Sequence, residues 1–304
     1  AVTQTTTTSQ IPEPLGAIIN TEAFKTRAYK IMKAIFILTV LMSCLMTSNC
    51  GSGVPSSNKV FLDSLQVSTV PSSFGFNPFY KKYSDASGIP LISSDKVPDT
   101  AILAARRIIV QMLSDLKVPD VVAYLQKNNV RIAIMAKDEV TTDIPEHSDL
   151  NRVFPETNWN TRARGIGATI QRPALSCAEE NLLCYAQDSY RGESILVHEF
   201  AHTIHEMALR YIEPDFDKNL MELFEAAKSK GLWQNTYAIS SYTEYWGEGV
   251  QSFFNTNLQS IPSNGIHNDI NIRKELELYD PGLYAFISKY FKVDDRQISC
   301  YSIE

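Results

Sequence analysis

The sequence has no excess of basic residues: 28 Lys and Arg stand against 34 Asp and Glu, giving a formal net charge of -6. Proteins that bind nucleic acid usually carry a basic patch, and helices that bind anionic lipid are rich in Lys and Arg. We therefore expect no nucleic-acid partner and no stable membrane association of the mature chain. Internal repeats and coiled-coil heptads are also missing, which argues against a solenoid or a long coiled coil.

A hydrophobic run long enough to span a bilayer, about 20 residues, is missing as well. The apolar run at residues 34–46 is shorter, follows Met32 and Lys33, and is followed by small residues. These are the three parts of a secretory signal peptide. We predict a signal peptide at 32–50 and a secreted, extracellular protein; an uncleaved anchor or a buried helix is the alternative. Residues 1–31 are predicted to be a disordered extension, or spurious sequence if translation begins at Met32.

Cysteine is sparse, with five in the chain. Cys177 and Cys184 are seven residues apart and can bridge in an oxidising compartment, and Cys300 can pair with Cys50 if cleavage precedes it. The sequence does not determine this pairing. No Asn-x-Ser/Thr acceptor is present, so N-glycosylation lends no support to secretion.

The remaining chain divides at residue 99. Residues 51–98 are rich in Ser, Pro and Gly and are predicted to be an irregular segment that lies on the core. Residues 99–304 form the predicted catalytic domain, with helical spacing after Asp99, an alternating strand near 130–135, and a β-like run around Gly165 and Gly167. From Asp188 or Ser189, either of which can cap a helix, the pattern is mostly helical. We predict an α+β fold with a mostly helical C-terminal half and a small mixed sheet in the N-terminal half.

The segment from His198 to His202 reads His-Glu-Phe-Ala-His. Residues four apart lie on one face of a helix, so both imidazoles can bind one ion. Zinc accepts such ligands in tetrahedral geometry, and Glu199 then lies where a general base is needed. Because the flanking residues are apolar, the helix is predicted to be buried, and a metal is the partner that buried His and Glu require. We therefore predict a Zn2+ site.

A second segment, around Glu244 and Glu248, supplies the missing third ligand. The two carboxylates are four residues apart on a helix that is otherwise largely apolar, which is costly unless something pairs with them. We assign Glu244 as the zinc ligand and Glu248 as the acceptor of a hydrogen bond from a ligand histidine, although the reverse is possible. Ser241 and Glu244 also have capping-box spacing, so Glu244 can instead cap the helix. His205, one turn beyond His202, is an alternative ligand in place of Glu244, but we expect it to pack or to line the cleft.

The two segments ILVHEFAHTIHE and YTEYWGEGVQSFFN resemble the catalytic domain of the anthrax lethal factor family of zinc metallopeptidases. The resemblance is specific over about residues 188–256 and does not extend to the toxin's receptor-binding and substrate-docking domains. It implies a zincin-like metallopeptidase domain. It also implies that a tyrosine seven residues before the ligand Glu, here Tyr237, stabilises the transition state; Tyr242 is the second candidate.

These features predict a secreted zinc-dependent metalloendopeptidase that acts on a peptide or protein substrate. Zinc lowers the pKa of its bound water, Glu199 takes the proton as water attacks the carbonyl, and Tyr237 helps to hold the oxyanion. Two alternatives stay open: a secreted module that binds zinc without cleaving, and a hydrolase of another amide. A structural protein with an accidental motif is a further alternative, distinguished by a lack of zinc.

Overall fold

The structure is a computed structural model that describes residues 66–293 together with residues 296 and 298. The predicted extension at 1–31, the signal peptide at 32–50, the first part of the segment 51–98, and Cys50 and Cys300 lie outside the described residues. Among the described helices, none is both long enough and apolar enough to cross a membrane.

A mixed sheet draws its six strands from residues 68–178. Its strands are β1 (Ser68–Thr69), β2 (Lys82–Ala86), β3 (Ile89–Ser93), β4 (Arg131–Met135), β5 (Gly165–Ile166) and β6 (Ala174–Ala178). They lie in the order β1-β2-β3-β4-β6-β5. β3, β4 and β6 run parallel, whereas β1 and β2 on one side and β5 on the other are antiparallel to their neighbours. β6 is buried along its whole length, as expected for a strand covered on both faces.

The prediction of an irregular segment is wrong for residues 68–93, which contain β1, β2 and β3. β2 and β3 form a hairpin whose two-residue turn, Ser87 and Gly88, has positive φ angles of 56° and 84°. Such turns match the twist of paired strands, and glycine adopts positive φ without strain. The pairing buries Ile89, Leu91 and Ile92 completely. This burial stabilises a segment whose Ser, Pro and Gly content had indicated a loop.

Helices lie between the strands and dominate the chain after β6. The longer ones are α1 (Asp99–Ser114), α2 (Asp120–Lys127), α3 (Ile195–Ile204), α4 (Phe216–Ser229), α5 (Tyr242–Phe253), α6 (Arg273–Tyr279) and α7 (Pro281–Tyr290). Single turns of α-helix occupy Leu150–Val153, Trp159–Arg162, Glu179–Leu182 and Arg210–Ile212. Turns of 3-10 helix occupy Ser72–Phe74, Thr141–Asp143, Pro145–His147 and Tyr237–Ser240. The predicted α+β class, with a small mixed sheet followed by a mostly helical half, is confirmed.

Helix α3 begins later than the sequence pattern predicts. Its N-cap is Ser194, whose hydroxyl accepts a hydrogen bond from the Val197 amide, so the predicted caps at Asp188 and Ser189 are wrong. Asp188 instead accepts hydrogen bonds from the Tyr190 amide and the Asn181 side chain, which hold the preceding loop in turns. After Ile204 the chain continues as a π-helical turn, His205–Leu209.

Cys177 lies on β6 as a fully buried free thiol. The bridge considered between Cys177 and Cys184 therefore does not form. Burial also raises the pKa of this thiol, which keeps it protonated. Cys177 thus packs as a small apolar side chain in the core.

Candidate active site

Helix α3 presents its two histidines because its other face is anchored in the core. Leu196, Phe200 and Ile204 are completely buried and hold the helix against the sheet and α5. His198 and His202 lie one turn apart on the remaining face, with ring centroids 4.7 Å apart. The predicted helix thus brings the predicted pair together.

Glu244, in the first turn of α5, completes a group that can hold a metal ion. Its Oε2 atom is 3.1 Å from His198 Nε2 and 3.2 Å from His202 Nε2, and the two Nε2 atoms are 3.0 Å apart. Zinc–ligand distances of about 2.0–2.1 Å in a tetrahedron place ligand atoms about 3.3 Å from each other. Two imidazole nitrogens facing each other this closely need a shared proton or a cation. The spacing and the donor atoms therefore fit a zinc ion bound by two nitrogens and one oxygen.

The Glu244 carboxylate does not take the alternative role of capping the helix. Ser241 is the N-cap of α5, and its hydroxyl accepts a hydrogen bond from the Glu244 amide at 3.1 Å. The Glu244 carboxylate points to the histidines. Only the Ser241 half of a capping box therefore forms, because the Glu244 side chain that would complete it lies beside the histidines.

Gly247 allows helix α5 to approach the two histidines. A Cβ atom at this position would lie 2.9 Å from both His198 Cε1 and His202 Nε2. That is closer than side-chain carbons approach other heavy atoms. The site therefore requires glycine at position 247, because any larger residue has to displace a ring or the helix.

Glu199 lies between the histidines and the strand segment that contains β5. A Cβ atom on Gly165 would be 3.1 Å from Glu199 Cγ, and one on Gly167 would be 3.4 Å from Glu199 Oε2. Thr203 of helix α3 joins the helix to the strand segment. Its hydroxyl donates to the Glu199 carbonyl oxygen and accepts from the Ala168 amide. Burial raises the pKa of the Glu199 carboxyl, which makes its carboxylate a stronger base.

The electrostatics of the site favour a positive charge. Burial opposes charge on the His198 ring, but the nearby carboxylates of Glu244, Glu248 and Glu199 outweigh burial and raise the His198 pKa to about 10. Burial likewise opposes ionisation of Glu244, but the hydrogen bonds with His198 and His202 hold its pKa well below the usual range. The acidic surplus around the rings is what a bound dication would neutralise.

The structure places Tyr237, and not Tyr242, in the cleft beside these residues. The cleft has a cavity volume of about 420 Å³, and Tyr237 lines it together with the histidines and Glu244. Burial and the Glu244 charge raise the pKa of the Tyr237 phenol, so it stays a hydrogen-bond donor. Its hydroxyl lies 3.3 Å from Nη2 of Arg162, a cleft residue that sequence reasoning missed. Tyr242 instead lies near His205, with ring centroids 6.3 Å apart.

The hydrogen-bond partner of His198 is Gln251, not Glu248 as predicted. Gln251 Oε1 is 3.0 Å from His198 Nδ1, whereas Glu248 Oε1 is 3.6 Å away and the other Glu248 oxygen accepts from Asn257. The Gln251 amide NH₂ donates to Glu193, so its oxygen must face the ring. An amide oxygen only accepts, which puts a proton on Nδ1 and directs Nε2 to the metal. The signal was available: Gln251 is seven residues, two turns, after Glu244.

The other histidines lie away from the ligand group. His205, considered as an alternative ligand, is buried and pairs with Asp217 through Nε2 at 2.5 Å. His147 and His267 are both buried. His267 Nε2 lies 3.5 Å from Glu193 Oε1. Each ring is held by a partner distant in sequence, which local patterns do not reveal.

No protein-family model and no curated protein matches the chain. Among solved structures, the PRO-PRO endopeptidase PPEP-2 from Paenibacillus alvei is similar, with a TM-score of 0.37 and 15% sequence identity. The match covers 67% of this chain and 97% of that one. Similarity of this degree assigns no family to the chain.

Proposed function

We propose that the chain is a zinc-dependent metalloendopeptidase of the anthrax lethal factor-like type. The observation that carries the proposal is the convergence of His198, His202 and Glu244 on one point, with ligand atoms 3.0–3.2 Å apart, beside Glu199. Three protein ligands with a position left for water or substrate are typical of catalytic zinc, whereas structural zinc has four protein ligands.

A zinc ion held by these residues would supply a Lewis acid that polarises a carbonyl and makes a water more acidic. The protein side chains then have separate roles. The Glu199 carboxylate accepts a proton from the attacking water and passes it to the leaving amine, since burial has already raised its pKa. The Tyr237 hydroxyl, kept protonated, donates a hydrogen bond to the developing oxyanion.

An extended peptide is the substrate that suits the cleft. β5 is the last strand of the sheet, so one of its edges is free of any strand partner among the described residues. Gly165 and Gly167 line the cleft there, which lets another backbone come close. Peptides commonly bind by adding a strand to such an edge. We also propose that the enzyme is secreted, which the signal-peptide pattern at 32–50 supports.

Glu199→Gln is the variant that tests the function. Because the amide cannot accept the proton, we expect hydrolysis in a peptide library to fall at least 100-fold while zinc stays bound. His198→Ala, the matched control, should lose both zinc and activity. Unchanged hydrolysis by Glu199→Gln would contradict the mechanism. A wild-type chain that binds zinc and cleaves no peptide would instead favour the non-cleaving module or the hydrolase of another amide.

A further inference from the structure

Most charged side chains along the cleft are already occupied by partners in the protein. The pairs are Glu193 with Gln251, Arg164 with Glu180, Glu206 with Arg210, Glu248 with Asn257, and Glu244 with the two histidines. Charged groups held in this way by ion pairs or hydrogen bonds are less free to bind a charged substrate. Two charged side chains of the lining belong to none of these pairs: Glu199, the proposed general base, and Arg162, which is the cation of the two.

Arg162 ends the helical turn Trp159–Arg162, just before β5, and its exposed side chain lines the cleft. Its Nη2 atom contacts the Tyr237 hydroxyl at 3.3 Å, and no carboxylate among the described residues forms an ion pair with it. The Tyr190 hydroxyl donates to the Arg162 carbonyl oxygen at 3.4 Å and so restrains the backbone that carries the guanidinium.

We propose that Arg162 selects substrates by binding a carboxylate next to the bond that is cleaved. This inference rests on the proposed function, because it takes Tyr237 as the group that holds the scissile carbonyl oxygen. A guanidinium in contact with that phenol lies next to the group that holds the reacting carbonyl. It can therefore reach a residue of the substrate beside the cleaved bond. Its five donors form a planar fork, and the phenol engages only one arm, so donors are left for a two-oxygen contact.

The carboxylate has two sources, the side chain of Asp or Glu and the C-terminus of a peptide. Both present the same planar pair of oxygens, so Arg162 binds either in the same way. The first source makes the enzyme an endopeptidase selective for acidic sequences. The second makes it an enzyme that trims the ends of peptides.

The test uses the zinc-loaded chain and matched peptides that differ by one group. One pair has blocked ends and carries Glu or Gln beside the cleaved bond; the other pair has a free or an amidated C-terminus. We expect the wild type to favour the carboxylate member of one pair by about 10-fold in kcat/KM, as for a charged hydrogen bond in a partly exposed site. Arg162→Gln should abolish the preference, and Arg162→Lys should keep part of it.

Arg152→Gln is the control, since Arg152 is exposed, lies outside the cleft lining, and its loss changes the net charge equally. Equal kcat/KM for both members of both pairs, or a preference unchanged in Arg162→Gln, would overturn the assignment of Arg162. Binding of the same peptides to the Glu199→Gln chain separates this failure from failure of the proposed function. If nothing is cleaved but Arg162→Gln still removes carboxylate-dependent binding, Arg162 is a binding residue and the hydrolytic proposal alone fails.

Discussion

A methyl group at position 247 tests how closely helix α5 must approach the metal site. In Gly247→Ala the new Cβ would lie 2.9 Å from His198 Cε1 and from His202 Nε2, about 0.5 Å short of ordinary contact. Metal–ligand distances at a well-formed site lie within about 0.2 Å of their ideal values. The helices cannot separate freely, because Trp246 Nε1 donates to the Ala201 carbonyl oxygen at 2.9 Å. The histidine rings must therefore move.

We expect this displacement to weaken zinc binding by about 10- to 100-fold, the loss typical when the support of a ligand is removed. The fold should survive, since alanine favours a helix over glycine by about 1 kcal/mol. Zinc affinity is measured by competition with a chelator, and the stability of the zinc-free chain by thermal unfolding. Gly247→Ala should lower zinc affinity while leaving the melting temperature of the zinc-free chain close to that of the wild type.

Gly249→Ala is the matched control on the same helix. Its Cβ would lie 2.6 Å from Leu283 Cδ2, in the contact between α5 and α7, away from the histidines. This variant should lower the melting temperature and leave zinc affinity nearly unchanged. Wild-type zinc affinity in Gly247→Ala, or equal losses of affinity in the two variants, would show that the close approach of α5 at Gly247 does not set the position of the histidines.

Two further predictions concern histidine partners. Gln251→Leu removes the acceptor for His198 Nδ1 and should lower zinc affinity about 10-fold or more by chelator competition; unchanged affinity would show that Gln251 does not orient the ring. His147 is buried, with Nε2 bonded to the Ala174 carbonyl oxygen, and burial lowers its pKa below the ordinary 6.5. Below pH 6.5 the unfolded chain therefore takes up a proton that the folded chain resists, so stability falls as the pH falls. In urea unfolding with a chelator present, the free energy of unfolding of the wild type should fall between pH 7.5 and pH 5. This fall should be smaller in His147→Gln, by at most about 2 kcal/mol; an equal fall in both chains would contradict the prediction.

The sequence predicted the site best where chemistry imposes spacing. His198 and His202 come together because residues four apart share a helix face, and the apolar residues between and around them bury the helix. Glu244 was selected because paired carboxylates on an apolar helix need a partner. Which carboxylate faces the histidines depends on the rotation of α5 against α3, which local patterns leave open. Gln251 was missed because a glutamine carries no charge that demands explanation.

The fold was predicted less well where contacts between distant segments decide the structure. The β2–β3 hairpin was predicted to be a loop because its Ser and Gly content outweighed a short apolar pattern. Its stability comes from pairing with β4, which lies about 40 residues further along the chain. His147 and His267 are buried although neither belongs to a sequence motif. Their burial depends on partners that the fold supplies.

Zinc content is the measurement that tests the central claim most directly. The purified chain, equilibrated with zinc and freed of excess metal, should hold about one zinc per chain. Glu244→Gln should lose or weaken this zinc, because one of the three ligand atoms is changed, whereas Glu199→Gln should keep it. A wild-type chain without zinc, or full zinc retention in Glu244→Gln, would contradict the assignment of His198, His202 and Glu244 as the metal site.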